Sequence, residues 1–293
     1  MFVLAALATG YTSLWVFGGI DASSLPALWM VPLIGILGAI IANASGTGGG
    51  VVFIPVFSLL AADASLGLTP TGILAASFLI QSFGMSMGSL TWTRRIHVDR
   101  RRANAGVPVR QFWGLIGLLA LIAIPFLWAG QRLNTLEPAS VLLLFKGFSV
   151  VLGVILFVST LARRNLGVAR NRMSRADVIV LVMLAPLAGW ITALFSVGLG
   201  EITALYLFLR GYALNTCSGI AVLLSCLSVL AGAPFHILEG NVPWAVVALA
   251  APGALIGGFI APRIATWLGA RRLKLAVSVW IAGSGLALIA VNI

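Results

Sequence analysis

Glycine and small polar residues concentrate at two points in an otherwise apolar chain. The first is Asn43-Ala44-Ser45-Gly46-Thr47-Gly48-Gly49-Gly50, set between the apolar runs 33–42 and 51–60. Its chemistry is recognition of an anion rather than bond making. Four glycines in five residues break a helix, since each costs about 1 kcal/mol against alanine. The helix that resumes at Val51 then starts with unpaired amides at the positive end of its dipole, a nest for negative charge. Asn43, Ser45 and Thr47 add hydroxyl and amide donors beside it. The second point is Ser196-Val197-Gly198-Leu199-Gly200-Glu201, about 150 residues on. There Gly198 and Gly200 repeat the spacing of Gly48 and Gly50 and would present a second helix start.

Side chains on the following spans extend this set. Ser77 and Gln81 stand one turn apart after the first break, and Thr216, Cys217 and Ser218 hold a similar place after the second. The candidate binding residues are therefore Asn43, Ser45, Gly46, Thr47, Gly48, Gly49, Gly50, Ser77, Gln81, Ser196, Gly198, Gly200, Thr216 and Ser218. The plainer alternatives are glycines that only let helices pack closely and hydroxyls that bond their own helix backbone. Breaks at equivalent places in two halves favour a site.

Glu201 is the most informative single residue. An ionised carboxylate in a bilayer is expensive, and such residues mark ion paths and proton relays. Beside an anion it would also repel the ligand. A protonated Glu201 would resolve both problems and makes it the candidate for proton coupling. The alternative is a first-turn glutamate held by the helix dipole, paired to Arg210 if the chain folds back. Lys146 lies about nine residues into its span; it either adds charge to an anion path or snorkels to the surface, and snorkelling is the simpler account.

Composition sets the class. The 293 residues are 60% hydrophobic and 9% charged, against about 25% charged in a soluble domain. This is an all-α polytopic membrane protein with the lipid bilayer as its solvent. The net charge of +11, from 18 basic and 7 acidic residues, points to topology and anionic headgroups rather than to nucleic acid. Cys217 and Cys226, nine residues apart on one apolar segment, can neither bridge each other nor make a metal site alone. No metal or organic cofactor is implied.

Hydropathy divides the chain into an N-terminal hydrophobic segment (1–25), a first transmembrane repeat (26–161), a basic cytoplasmic linker (162–177) and a second repeat (178–293). The apolar stretch Met1 to Ile20 is about long enough to span, and without a preceding Lys or Arg it reads as an extra helix rather than a signal peptide. Each repeat reads as a broken pair followed by three spans. The first half runs 26–60, 71–92, 109–128 and 140–161; the second runs 178–209, 212–233, 244–265 and 275–293. Loops lie between them, including a basic one after Trp92, a turn around Lys274 and a solvated loop holding His236 and Glu239.

Sixteen of the eighteen basic residues fall on one side if the loops after Trp92, after Leu161 and around 263–274 are cytoplasmic. The positive-inside rule requires that orientation. The first broken pair then starts and ends outside, the second inside. The halves are inverted copies, a plan that recurs in secondary transporters with the binding site where the breaks meet.

The segment Ser45-Gly46-Thr47-Gly48-Gly49-Gly50-Val51-Val52-Phe53-Ile54-Pro55 resembles the glycine-rich signature of the TauE/SafE family of sulfite and organosulfonate exporters, and Gly198-Leu199-Gly200-Glu201 resembles its second copy. The likeness runs from about residue 27 to the C-terminus. Leu205 stands where the second copy often has proline, and the segment Met1 to Ile20 exceeds the usual eight-helix plan. The resemblance implies a carrier of a small sulfur-containing anion or related carboxylate in a bacterial cytoplasmic (inner) membrane, working by alternating access. The alternatives are an anion channel and, further off, an intramembrane hydrolase with Ser45 as nucleophile and His236 as base; no pattern places those two within the reach that catalysis needs, so an enzyme is not expected. Direction of transport, coupling ion and assembly are not written in the sequence, with a homodimer left open. The orientation predicts that a reporter fused after Ile293 is accessible from outside the cell; a reporter readable only from the cytoplasm would reverse it.

Overall fold

A computed structural model describes residues 2–20, 25–26, 28–61, 67–103, 107–162 and 170–291, and it is all-helical. In chain order the helices are α1 (Phe2–Phe17), α2 (Val31–Ser45), α3 (Gly50–Leu60), α4 (Pro70–Ala103) and α5 (Val109–Leu133). They continue with α6 (Pro138–Ala162), α7 (Arg175–Phe195), α8 (Leu199–Leu209), α9 (Leu214–Leu238) and α10 (Trp244–Ala290). Six of these are long and apolar enough to cross a bilayer, which makes the chain an integral membrane protein. Helix α10, with 47 residues, would extend about 70 Å if straight, more than twice the hydrocarbon thickness. It turns instead at Gly269, whose φ of 73° and ψ of 162° are not helical, giving two arms.

The two glycine-rich segments do interrupt helices, and the reason is local. Helix α2 closes at Gly46 in the left-handed region, with φ 76°, and α7 closes at Ser196 with φ 57°. Three further residues separate Gly46 from α3, and two separate Ser196 from α8. Both resumed helices are only 11 residues long, about 16 Å, half of a membrane crossing.

Close contact of small residues holds the arms. Helix α2 lies on the first arm of α10, where a Cβ added to Gly253 would sit 2.2 Å from the Pro32 carbonyl oxygen and one on Gly257 2.4 Å from that of Ile36. Helix α7 lies on α5 in the same manner, with Gly189 allowing 2.2 Å to the Ala123 oxygen. Lipid offers no hydrophobic drive for helix association, so this backbone approach and its dispersion contacts do the joining. The first arm of each broken pair thus packs on the second full span of the other half, while α4 meets α9 and α6 meets α10. Large apolar side chains on the outer helices, such as Leu121, Leu143 and Met183, remain exposed toward lipid.

Four expectations change. The basic stretch after Trp92 is not a loop, because α4 continues to Ala103; arginine is a good helix former and no glycine or proline intervenes before Gly106. Helix α1 has 16 residues, about 24 Å, short of a full crossing, and it leans on α10 and on Phe83. His236 is not in a solvated loop: α9 runs to Leu238 and buries the imidazole 4.7 Å from the Phe78 ring. Lys274 is not in the basic turn itself but five residues past Gly269 in the second arm of α10, and only 3% exposed. Lys146 is buried along α6. The side chains of Asp99, Arg100, Arg101 and Arg102, together with Arg163 and Arg164, lie outside the described residues.

The tight glycine contacts generate a stability prediction. Gly189→Val or Gly253→Val should cost about 1–3 kcal/mol through overpacking and lower the melting temperature in detergent. Gly114→Ala, where an added Cβ meets nothing within 4 Å, should leave it unchanged or slightly raised. Equal melting temperatures for all three would contradict the packing described.

Candidate functional site

The two breaks touch. A Cβ on Gly50 would fall 2.3 Å from Val197 Cγ2 and 2.6 Å from the Phe195 carbonyl oxygen, so glycine there is what admits the second break. Glu201, third residue of α8, reaches back so that its Oε2 accepts the Gly198 N–H at 2.6 Å, satisfying an amide that the helix start leaves open. Its other oxygen, Oε1, accepts the Gly48 N–H of the first break. One carboxylate therefore holds amides from both breaks.

Gln81 makes a second bridge from the centre of α4. Its Oε1 accepts the Gly49 N–H at 2.5 Å, and its Nε2 lies 2.5 Å from Ser196 Oγ, 3.0 Å from Ser77 Oγ and 3.2 Å from the Ser196 carbonyl. Ser77 also donates to Ser196 Oγ at 3.1 Å. Thr192 caps the second break, its Oγ1 accepting the Leu199 N–H at 3.0 Å. All of these side chains are buried. In hydrocarbon such backbone groups have no water to turn to, and here the chain supplies the partners itself.

The other expected residues take several positions. Ser45 and Thr47 hydrogen-bond each other at 2.6 Å and line a small cavity with Glu201, Leu205 and Lys274. Gly46 faces Ser218 and Ala221 of α9, and Ser218 Oγ donates to the Ala44 carbonyl at 3.4 Å. Gly200 packs against Ser225, whose Oγ would lie 1.9 Å from an added Cβ. Asn43 turns away, its Nδ2 donating to Ala39 O at 2.9 Å and its Oδ1 facing Gly88. Thr216 is buried in the first turn of α9. Ser45 and His236, the pair imagined for a hydrolase, have separate partners: His236 lies against Phe78, Phe235 and Gln131.

Arg210 does not pair with Glu201. Nine residues of helix, about 13 Å, separate them, and Arg210 Nε instead meets Asp177 Oδ1 at 2.6 Å. Asp177 is fully buried and also accepts from Tyr206 at 2.9 Å and Tyr212 at 2.6 Å. This cluster ties the start of α7 to the end of α8, closing the second broken pair into a hairpin. Sequence reasoning passed over Asp177, although a lone acid in the first turn of an apolar helix beside several arginines was a usable signal. A second cavity, of about 180 Å³, is lined by α3, α4 and α6 and reaches Phe145 and Phe195, the latter adjoining Ser196. The two rings meet edge to face at 5.7 Å.

Two unwound helix breaks in contact inside a polytopic helical protein are a feature that recurs among membrane transporters. The chain belongs to the TauE/SafE family, since the family described as "Sulfite exporter TauE/SafE" matches residues 31–288. Membership implies a membrane transporter of sulfite- or sulfonate-like anions. Comparison with curated proteins and with solved structures gave no significant match.

Gln81 is the residue whose loss the bridging geometry makes most costly. Gln81→Leu would strand the Gly49 amide in an apolar interior, at about 1–3 kcal/mol for an unsatisfied group, and would leave the Ser196 hydroxyl with Ser77 alone. A melting temperature equal to that of the wild type would show that these bonds do not hold the breaks.

Proposed function

We propose that the protein is a secondary transporter that moves a small sulfur-containing anion, sulfite or an organosulfonate, across the cytoplasmic membrane by alternating access. Its halves act as inverted repeats, and the amides of Gly48, Gly49 and Gly198 form the anion site. The observation that carries this reading is the Glu201 carboxylate between the two breaks. A carboxylate is an anion, and amides from both halves already converge on it. Glu201 then acts as an internal stand-in that substrate replaces. One cavity ends at Phe195 and another at Glu201, residues on either side of the second break, which suits a site reached alternately from two directions.

The same geometry supports proton coupling. An ionised Glu201 competes for the amides and repels a substrate anion. Once it is protonated, its charge is gone and the amides are released. Substrate binding and proton binding therefore assist each other, and apparent affinity should rise as pH falls. Lys274 lines the same cavity as Glu201.

Purified protein in liposomes provides the test, with sulfite, sulfate, thiosulfate, sulfoacetate, taurine and acetate compared. The expected result is saturable, counterflow-competent transport of a sulfur anion that strengthens at lower pH, and Glu201→Gln should transport without that pH dependence. Flux that neither saturates nor exchanges would make the protein a channel. A Glu201→Gln variant that keeps the wild-type pH profile would remove Glu201 from the coupling.

A further inference from the structure

Lys274 sits five residues into the second arm of α10, after the turn at Gly269, and belongs by sequence to a basic cluster with Arg271 and Arg272. Unlike Arg271 and Arg272, which are exposed, it is buried, at 3% exposure. Its Nζ lies over the Phe208 ring of α8, 3.2 Å from the centroid, and its side chain lines the small cavity shared with Ser45, Thr47 and Glu201. Among the described residues it has no carboxylate partner; the Glu201 oxygens are taken by the Gly48 and Gly198 amides, and the Asp177 oxygens by Arg210 and Arg170.

A buried ammonium with the Phe208 face and Cys217 beside it, but no carboxylate, is costly. The usual compensation for desolvating such a charge is a paired anion; a cation–π contact returns only part of the cost. Lysines buried inside membrane proteins commonly mark a path for charge. The cavity sets two hydroxyls beside Lys274; Ser45 Oγ now donates to the Ile41 carbonyl at 2.6 Å and bonds Thr47 Oγ1, so both must turn to meet an anion.

We infer that this cavity is a station for the transported anion and that Lys274 supplies the positive charge that meets its sulfite or sulfonate oxygens, with Ser45 and Thr47 donating hydrogen bonds. At about 10 Å³ the cavity has room for roughly one water. An anion enters it when the apolar wall of Leu152, Leu156 and Leu205 draws back, so the conformation described is one in which the station is collapsed. Phe208 parks the ammonium in the meantime. The inference rests on the proposed anion transport and adds to it a residue outside both glycine-rich breaks.

The test compares wild type, Lys274→Met and Lys274→Arg in detergent, titrated with sulfite and with sulfoacetate and followed by calorimetry, with melting temperatures recorded without ligand. Lys274→Met should weaken anion binding at least tenfold while melting at or above the wild-type temperature, because a buried unpaired charge has been removed. Lys274→Arg should recover part of the affinity. A purely structural lysine would give the reverse pattern, with a lowered melting temperature and unchanged affinity, and that result overturns the inference while leaving anion transport standing. A folded wild type that binds neither anion overturns both readings.

Discussion

Everything in this protein depends on satisfying backbone that has been unwound where no water is available. Two helices stop and restart inside an apolar molecule, and each restart exposes amides that cost several kcal/mol if left alone in hydrocarbon. Glu201 and Gln81 meet that demand together, each taking an amide from the first break and a group from the second. The breaks are therefore joined to each other as well as to the scaffold. A change in either side chain is felt in both halves of the chain.

The scaffold follows from the same demand. Bridges this short require the breaks to be in contact, and contact requires that nothing bulky stands between them. Gly50 makes room for Val197, Gly46 for Ser218, and Gly200 for Ser225. Further out, Gly189 and Gly253 bring α7 onto α5 and α2 onto α10. Each broken pair is thereby carried by a span from the other half. A rotation of one half against the other would move a break relative to its partner's support, the kind of rearrangement that alternating access uses.

Charge is arranged in two tiers. At the rim of the second broken pair, Asp177 gathers Arg210, Arg170 and two tyrosines into a cluster that closes the hairpin. Deeper, Glu201 and Lys274 share one small cavity but bind backbone amides and an aromatic ring rather than each other. A carboxylate and an ammonium kept apart in this way leave each free to respond to a third charged species. That is the electrostatic basis of the proposal that the cavity and the breaks form one anion path.

Much of this was legible in the residue string. Composition and hydropathy settle the membrane class, because the hydrocarbon core penalises charge in every span. Glycine runs mark the breaks, since glycine disfavours helix wherever it falls. Gln81, Ser77 and Glu201 stood out as polar groups in apolar surroundings. What the string could not carry was partnership. Glu201 reads equally as a cap, a proton site or a mate for Arg210, and only folding brings it to Gly48, 153 positions away in the chain. Lys274 looked like one more basic residue in a turn, and His236 like part of a solvated loop, because a local window reports the company a residue keeps in sequence. Tertiary packing alone decided that Lys274, just past the turn at Gly269, lies against Phe208, and that α9 runs on to bury His236 under Phe78. The physical reason is that burial in a helical membrane protein depends on which face of a helix meets another, and that follows from contacts between residues far apart in the chain.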